Sequence, residues 1–234
     1  MAHYSELESG SGYAAVASQR LTSLPEEASA DSRALSWKLK SVMDRVGAFL
    51  LLVAVGPAML VIALLVRLDS PGPVFFRQPR FGAGRSVIVV TKFRTMHSER
   101  TDIGGRRQAT RDDDRVTRIG RFLRKTCLDE LPQIWDVFCG RMSLVGPRPH
   151  PLSLEVDGQP IEVLIPNYHR RHRVRPGITG LAQINGNRGP VESIAMGRER
   201  LRYDVEYIEG HSIWLDVRIL LRTLVVPFQK DGSY

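Results

Sequence analysis

The chain has 234 residues, a formal net charge of +8, a hydrophobic fraction of 43% and two cysteines, Cys127 and Cys139. This length suits one domain with appendages, and so few cysteines argue against a secreted domain framed by disulfides and for a reducing compartment. The basic excess indicates a polyanionic partner, which leaves open nucleic acid, anionic lipid headgroups and a phosphorylated substrate.

The first 36 residues are rich in serine, alanine, glutamate and glycine and show little apolar periodicity. A segment of this composition buries too little apolar area to offset the entropy lost on ordering, so we expect residues 1–36 to form a disordered tail. The segment also lacks the basic start and the apolar centre of a signal peptide.

An uncharged apolar run follows at residues 47–66, with the sequence GAFLLLVAVGPAMLVIALLV. As a straight helix it would cross the ~30 Å hydrocarbon core of a bilayer, and apolar residues on every face argue against a buried helix of a soluble protein. Pro57 lies at the centre, where it removes a helical hydrogen bond, so each arm of about ten residues reaches only the bilayer midplane.

Basic residues flank this run on both sides. They are Lys38, Lys40 and Arg45 before it and Arg67, Arg77, Arg80 and Arg85 after it. Because lysine and arginine mark the cytoplasmic ends of membrane segments, this pattern fits a segment whose two ends both stay in the cytoplasm. We therefore predict that residues 37–68 form a re-entrant membrane helix that bends at Pro57, in preference to a helix that spans the bilayer.

Residues 69–234 have the pattern of a cytoplasmic domain of α+β class, mainly helical. The predicted elements are a strand hairpin near residues 74–95 with its turn at Gly82 and Gly84, an exposed loop over 99–115, and helices over 117–125, from about 129 to Gly140, over 191–207 and over 213–228. The last helix is amphipathic, which fits core packing and a position in the membrane interface equally well. The basic cluster HRRHRVR at 169–175 likewise fits a solvated face or contacts to phosphate groups.

Asp129 and Glu130 are adjacent carboxylates at the predicted start of a helix, where free N–H groups and the helix dipole favour anions. For an arbitrary acidic pair, simple capping is a sufficient explanation. Here several cations lie nearby in sequence: Arg121, Arg124, Lys125 and Arg148. A carboxylate among cations stays ionised, as a nucleophile or a metal ligand must, and arginines bind phosphate oxygens in bidentate fashion.

The run LRKTCLDELPQIWDVFCGRMSLVGPRP at 123–149 resembles the signature of the bacterial sugar transferases, the monotopic polyprenyl-phosphate phosphoglycosyl transferases. Three further blocks are similar in order and spacing: KFRTM at 92–96, RPGITGLAQINGNRG at 175–189 and RLRYDVEYIEGHSIWLDVRILLRTL at 200–224. The resemblance covers residues 37–228, and it is strongest to the single-domain enzymes that start exopolysaccharide repeat units with glucose or galactose phosphate.

This resemblance implies an enzyme that transfers a hexose-1-phosphate from a UDP-sugar to undecaprenyl phosphate, on the cytoplasmic face of a bacterial inner membrane. Asp129 would attack the β-phosphate, release UMP and carry the sugar phosphate covalently until the lipid phosphate takes it. Glu130 would help to hold Mg²⁺, the expected cofactor. The sequence does not separate glucose from galactose, although glucose is slightly favoured.

The resemblance also assigns residues to the substrates and to the membrane. Arg148 and Arg124 would bind phosphate groups, Lys92 and Arg94 would face the diphosphate, and Gln183 and Asn185 fall, as a weaker assignment, in the nucleotide-sugar segment. Pro57 matches the proline at which the family's re-entrant helix is broken, whereas Gly56 replaces a serine found in many members, which leaves the bend angle open.

Two other classes of function compete with this interpretation. A membrane-tethered binding module would explain the charge but not the acidic pair, and no nucleic-acid motif is present, so we expect no nucleic-acid partner. A glycosyltransferase that moves the sugar alone would release UDP instead of UMP. A homodimer is an open alternative to a monomer, and His150 is interpreted as a half-exposed structural histidine.

Overall fold

The computed structural model describes residues 26–100 and 113–225. The chain divides into two compact units, residues 1–40 and 41–234, and the contacts discussed below all lie within the second. The first helix, α1, spans Glu26–Asp69, so residues 26–36, which the sequence places in the tail, are helical. Residues 1–25 lie outside the described residues, and their disorder stays a prediction.

Helix α1 is apolar and largely exposed. The window of highest hydropathy within Ala34–Asp69 has a mean hydropathy of 2.9, and 11% of it is buried. Large side chains such as Leu50, Val53, Leu60 and Leu64 are exposed on both sides of Pro57, which lies inside the helix. The helix is thus long and apolar enough to cross a bilayer, and it is compatible with a membrane-associated protein.

A strand hairpin follows α1, as the sequence predicts. Strands β1 (Phe75–Phe81) and β2 (Val87–Phe93) are antiparallel, and Phe75 pairs with Phe93. The 3₁₀ turn Ala83–Arg85 joins them, with Gly84 in the left-handed region at φ 61°. Side chains alternate along β2, so Val90 is buried while Val89 is exposed.

The next segment contains two helices separated by a tight turn. Helix α2 (Arg118–Thr126) begins after Thr117, whose hydroxyl accepts a hydrogen bond from the Gly120 N–H at 3.0 Å. The sequence predicts one helix from about residue 129, but the structure has a 3₁₀ turn, Leu128–Glu130, followed by α3 (Gln133–Phe138). Gly140, with φ 76°, ends this segment as predicted.

The remainder of the domain is built from short strands and helices. They are β3 (Ser143–Val145), β4 (Glu155–Val156), β5 (Gln159–Pro160), α4 (Ile161–Leu164), the 3₁₀ segment Tyr168–Arg173, β6 (Gly177–Thr179), α5 (Leu181–Ile184), α6 (Ile194–Glu209) and α7 (Ile213–Val225), with a further 3₁₀ turn at Ser98–Arg100. Strand β3 pairs in parallel with β6, and β4 pairs antiparallel with β5. The mixed, mainly helical fold is confirmed, although these strand pairs are absent from the sequence prediction.

Two apolar clusters lie among the described residues. One joins β4, α4 and the segment around Val191 through Ile161, Ile165 and Tyr168. The other consists of Ile62, Val66, Phe93 and Leu123, and therefore attaches the end of α1 to β2 and α2. This second cluster sets the positions of the strand and the helix that flank the acidic pair.

The predicted exposed loop over 99–115 is wrong at its C-terminal end. Asp113 and Arg115 are both buried. The Arg115 guanidinium donates to both carboxylate oxygens of Asp113, at 2.8 and 2.5 Å. Each charge is thereby compensated inside the protein. Residues 101–112 lie outside the described residues.

Candidate active site

Asp129 and Glu130 lie in the 3₁₀ turn between α2 and α3. Cys127 ends α2 in the left-handed conformation, with φ 57°, and its N–H bonds to carbonyls in the last turn of that helix. Because the backbone changes direction at Cys127, the turn Leu128–Glu130 packs against β2 and does not continue α2. Asp129 is buried, with 9% of its surface exposed, and Glu130 is half-buried.

Glu130 is held by two cations. The Arg148 guanidinium donates to both of its carboxylate oxygens, at 3.0 Å from Nη1 to Oε2 and with a shorter contact from Nη2 to Oε1, and Lys92 Nζ donates to Oε1 at 2.6 Å. Burial raises the pKa of Glu130, but Arg148 and Lys92 lower it by more, so this pKa lies well below its usual range. Glu130 is therefore an anion throughout the physiological pH range.

Asp129 has a different environment. The only ionic contact of its carboxylate among the described residues is with Lys92, whose Nζ lies 4.0 Å from Oδ2, too far for a hydrogen bond. Burial raises the pKa of Asp129, Lys92 opposes this, and the charge of Glu130 adds to it, so the pKa lies above its usual range. The sequence predicts that nearby cations keep both carboxylates ionised. In the structure the cations outweigh the effect of burial on the pKa only at Glu130. Asp129 keeps carboxylate oxygens that accept no hydrogen bond among the described residues.

Arg124 lies close enough to Asp129 to lower its pKa. Its Nε donates to Thr95 Oγ1 at 2.9 Å, just beyond the end of β2. This approach of α2 to Thr95 depends on Gly120, because a Cβ there would overlap the Thr95 carbonyl. Arg124 is therefore fixed beside the acidic pair, and its contact with phosphate groups stays a prediction.

The backbone of Arg148 is also fixed. The buried guanidinium of Arg171 donates to the Arg148 carbonyl at 2.8 Å and pairs with Asp204 at 2.8 Å, while Arg80 donates to the Pro149 carbonyl at 2.7 Å. The sequence analysis did not identify Arg171 or Arg80 as residues that support Arg148. For Arg171 the available signal was the cluster HRRHRVR, and in the structure Arg171 is buried and not part of a solvated face.

Asp136 is a second residue that the sequence analysis missed. Its side chain is fully buried on α3, where it accepts hydrogen bonds from the Thr91 N–H of β2 at 3.0 Å and from Arg141 Nη2 at 2.7 Å. This pairing ties α3 to the strand that carries Lys92. The available signal was an acidic residue between Ile134 and Val137, two buried apolar positions of the same short helix.

The structure does not bring Arg94 to this cluster. Its guanidinium is buried and donates to the carbonyls of Val66, Ser70 and Pro71 at 3.1, 2.6 and 2.5 Å, where it satisfies the end of α1. Strand β2 ends at Phe93, so the alternation that would place residues 92 and 94 on one face does not extend to Arg94. The predicted contact of this residue with a diphosphate finds no support in the geometry.

Gln183 and Asn185 lie on and just after α5. Gln183 Nε2 donates to the Ile178 carbonyl at 3.1 Å, and Asn185 Nδ2 donates to the Leu181 carbonyl at 2.8 Å. The contacts that hold Asp129 and Glu130 do not involve either amide. Their assignment to the nucleotide-sugar stays a prediction.

The acidic pair offers donors of the kind that Mg²⁺ prefers. Asp129 has two carboxylate oxygens without hydrogen bonds among the described residues, and Glu130 Oε2 accepts one hydrogen bond, from Arg148 at 3.0 Å, and so keeps a lone pair. Oxygen ligands from one or two carboxylates, completed by water and phosphate, are typical of magnesium sites. The residues present therefore fit this ion, with Asp129 as well as Glu130 available to it.

The chain is similar to known proteins over most of its length. Residues 35–230 match the family described as bacterial sugar transferase. The chain is 45% identical over 196 residues to the exopolysaccharide production protein PSS of Rhizobium leguminosarum bv. phaseoli, with 84% of this chain and 98% of that protein aligned.

Two relatives carry names that describe a reaction. The UDP-glucose:undecaprenyl-phosphate glucose-1-phosphate transferases of Caulobacter vibrioides and of Escherichia coli are each 45% identical to this chain, over 83% and 84% of its length. The chain spans 72% of the Caulobacter protein but only 41% of the Escherichia coli protein. With most of its length matched by the family and by these relatives, the chain belongs to the bacterial sugar transferase family.

Proposed function

We propose that the chain transfers glucose-1-phosphate from UDP-glucose to undecaprenyl phosphate and thereby starts an exopolysaccharide repeat unit. The observation that carries this proposal is the buried Asp129, with free carboxylate oxygens, beside a Glu130 held by Lys92 and Arg148. The names of the relatives supply the substrates, because those from Caulobacter and Escherichia coli are both named for this reaction with glucose. Galactose is the hexose to test against it.

The first step of the proposed reaction forms a bond between a carboxylate oxygen of Asp129 and the β-phosphorus of UDP-glucose. The bond from that phosphorus to the bridging oxygen breaks, and UMP leaves with the electron pair. Glucose phosphate then remains esterified to Asp129. Covalent catalysis of this kind lets a soluble donor and a lipid acceptor use one site in turn.

In the second step, an oxygen of undecaprenyl phosphate attacks the same phosphorus. The bond to Asp129 breaks, the aspartate regains its charge, and the lipid leaves as undecaprenyl diphosphate glucose. No net proton transfer is required in either step, so the demands on the site are positioning and neutralisation of phosphate charge.

The side chains around the aspartate meet these demands. Lys92, Arg124 and Arg148 place three positive charges around the carboxylates, and both Lys92 and Arg148 retain partial exposure, 20% and 28% of their side chains. The lone pairs of Asp129 and Glu130 would hold Mg²⁺. When bound, this ion would neutralise charge on the diphosphate and lower the pKa of Asp129 toward the ionised form that attack requires.

We further propose that α1 is re-entrant and that the domain lies on the cytoplasmic face of the inner membrane. Support comes from contacts on both sides of Pro57. Asp44 accepts hydrogen bonds from Ser143 Oγ at 2.6 Å and the Leu144 N–H at 3.3 Å, while the Val66 carbonyl accepts from Arg94 at 3.1 Å. One domain thus binds both arms, which favours ends on the same side of the membrane.

Helix α7 supports a position at the membrane surface. Its buried side chains Asp216 and Ile219 face the domain, while Trp214, Leu221 and Val225 are exposed at helical spacing on one stripe, Trp214 by 82%. Tryptophan beside aliphatic side chains is typical of the interface between headgroups and acyl chains. We therefore favour the interfacial role over core packing for the exposed face of this helix.

The function is tested with the full-length protein in detergent. Incubation with UDP-glucose, undecaprenyl phosphate and Mg²⁺ should release UMP and form the lipid-linked glucose phosphate, with Asp129→Asn inactive and UDP-galactose a poorer donor. Release of UDP would instead indicate a glycosyltransferase that moves the sugar alone, and no turnover would indicate a binding module. His169→Ala, at an exposed position, is the control for handling and should retain the native rate.

The topology needs a separate experiment, in vesicles of known orientation. The native cysteines Cys127 and Cys139 are exposed and are first replaced by serine. Single cysteines introduced at Ser41 and at the exposed Pro73 should then react with a membrane-impermeant reagent from the same side. Labelling from opposite sides would replace the re-entrant helix with a spanning one.

A further inference from the structure

Three potential metal ligands meet away from the acidic pair. His150 follows β3, Glu162 lies on α4 and His172 lies in the 3₁₀ segment Tyr168–Arg173, yet one ligand atom from each lies within 4.8 Å of the other two. Both histidines are buried, each with 6% of its surface exposed. The sequence-based interpretation of His150 as a half-exposed histidine is therefore wrong, because Phe81 and Tyr168 cover its ring.

Hydrogen bonding fixes the tautomer of His150. Its Nδ1 lies 2.9 Å from the Pro151 carbonyl, which can only accept, so Nδ1 carries the proton and Nε2 presents a lone pair. That lone pair accepts a hydrogen bond from His172 Nε2, 3.2 Å away. When an ion takes the place of this proton, the proton moves to His172 Nδ1, which has no hydrogen-bond partner among the described residues. A metal-binding histidine commonly donates from one ring nitrogen to a backbone carbonyl, as His150 does, and binds the ion through the other.

The spacing of the two nitrogens suits a shared ion. Two nitrogens 3.2 Å apart, each at the usual 2.0–2.1 Å from zinc, subtend an angle of about 100° at the metal, close to tetrahedral. Glu162 Oε1 is buried and has no hydrogen-bond partner among the described residues, so the third side chain has an oxygen to contribute. Imidazole and carboxylate together suit zinc, whereas Mg²⁺ prefers oxygen ligands alone.

The two histidines lie in a buried and positively charged environment. Burial, followed by the charge of Arg171, lowers the pKa of His172 to about 4 and that of His150 well below its usual range. The cationic side chains facing the pair are Arg171, Arg80, Arg85 and His169. Arg171 is neutralised by Asp204 at 2.8 Å, and Arg85 by Glu162 itself at 2.7 Å.

We propose that His150, His172 and Glu162 bind a divalent transition-metal ion, zinc in the first instance, at a site separate from the acidic pair. The ion binds Glu162 Oε1, while Arg85 keeps its contact with the other oxygen, Oε2, at 2.7 Å. The ion then joins α4 and the 3₁₀ segment to the loop that carries Arg148. Its role is to hold that loop, and no step of the sugar-phosphate transfer passes through it.

The test uses the full-length protein in detergent with Cys127 and Cys139 replaced by serine, so that exposed thiols cannot bind zinc. After treatment with EDTA and dialysis against zinc, elemental analysis should find one zinc per chain. The midpoint of thermal unfolding should rise by about 5–10 °C when zinc exceeds its Kd about 100-fold. Addition of Co²⁺ should give the visible absorption of a tetrahedral site, unchanged by Mg²⁺.

Variants distinguish the site from adventitious binding. His150→Gln and Glu162→Gln should each weaken zinc binding by at least about tenfold, and His169→Ala should not change it. Arg85→Gln should tighten binding, because it removes a positive charge that faces the site, and this gain does not depend on a variant that fails to fold. Equal zinc binding by the parent and the His150→Gln/His172→Gln double variant would overturn the proposal and leave a hydrogen-bonded imidazole pair.

Discussion

Replacement of Arg148 by glutamine tests how Glu130 is held. The change removes both guanidinium hydrogen bonds to the carboxylate and leaves Lys92 Nζ, at 2.6 Å, as the remaining cation in contact. Loss of one partner of a buried pair costs about 3–5 kcal/mol. The side chains here keep 14% and 28% exposure and Lys92 remains, so we expect a smaller loss, about 2–3 kcal/mol at pH 7.

The sign of the pH dependence follows from the pKa of Glu130. This pKa is below its usual range in the folded protein, so the pairing stabilises the fold fully above the unfolded-state value of about 4.3 and its contribution is lost as pH falls through the folded pKa. In Arg148→Gln the pKa of Glu130 rises, since burial is then opposed by Lys92 alone. The two proteins should therefore differ most at pH 7, and the difference should begin to shrink as pH falls below about 4.3 and disappear only below the folded pKa of Glu130.

Thermal unfolding in detergent, followed by tryptophan fluorescence, measures this difference. At pH 7 the loss of 2–3 kcal/mol should lower the midpoint by roughly 4–12 °C for a chain of this size. Arg170→Gln is the matched control, because Arg170 pairs with Glu209 at the surface and should change the midpoint by less than about 2 °C. A midpoint for Arg148→Gln equal to that of the parent, or a deficit that does not shrink as pH falls below about 4.3, would refute the reasoning.

Two further changes separate the roles of the basic residues near β2. Lys92 is the main charge that lowers the pKa of Asp129 against the effect of burial, so Lys92→Met should raise this pKa further. The acid limb of the pH–rate profile should then move to higher pH, and an unmoved limb would contradict this assignment. Arg94 caps α1, so Arg94→Gln should lower stability by about 1–3 kcal/mol with little change in KM for UDP-glucose. A large rise in KM at unchanged stability would restore the predicted diphosphate contact.

Local patterns in the sequence predicted the elements that depend on local rules. Alternating apolar residues with glycines between them gave the β1–β2 hairpin, and Thr117 and Gly140 marked the start and the end of the segment that carries the acidic pair. These features arise from neighbouring residues, so no knowledge of the tertiary structure is needed to find them.

The failures involve contacts between distant segments. Arg94 follows a strand whose end the sequence does not mark, and its buried guanidinium binds α1 carbonyls from residues 66–71. The parallel pairing of β3 with β6 and the support of Arg148 by Arg171 join segments separated by more than twenty residues. Periodicity carries no information about such pairings.

The acidic pair falls between these two cases. Its position among cations was predicted from the sequence, and two of the predicted cations, Arg148 and Arg124, do lie beside it. Lys92, which the resemblance assigned to the diphosphate, is the third. The different roles of the two carboxylates were not predicted, because they follow from the direction of each side chain within one 3₁₀ turn. Only the structure separates a Glu130 held by two cations from an Asp129 whose oxygens remain available.

The covalent step at Asp129 is tested most directly by incubating the protein with UDP-glucose and Mg²⁺ in the absence of any lipid acceptor, and then measuring the mass of the intact chain. We expect one equivalent of UMP and a mass increase of one hexose phosphate, which peptide mapping places on Asp129 and which disappears on addition of undecaprenyl phosphate. An unmodified chain that nevertheless forms the lipid product at the full rate once the acceptor is added would contradict the account.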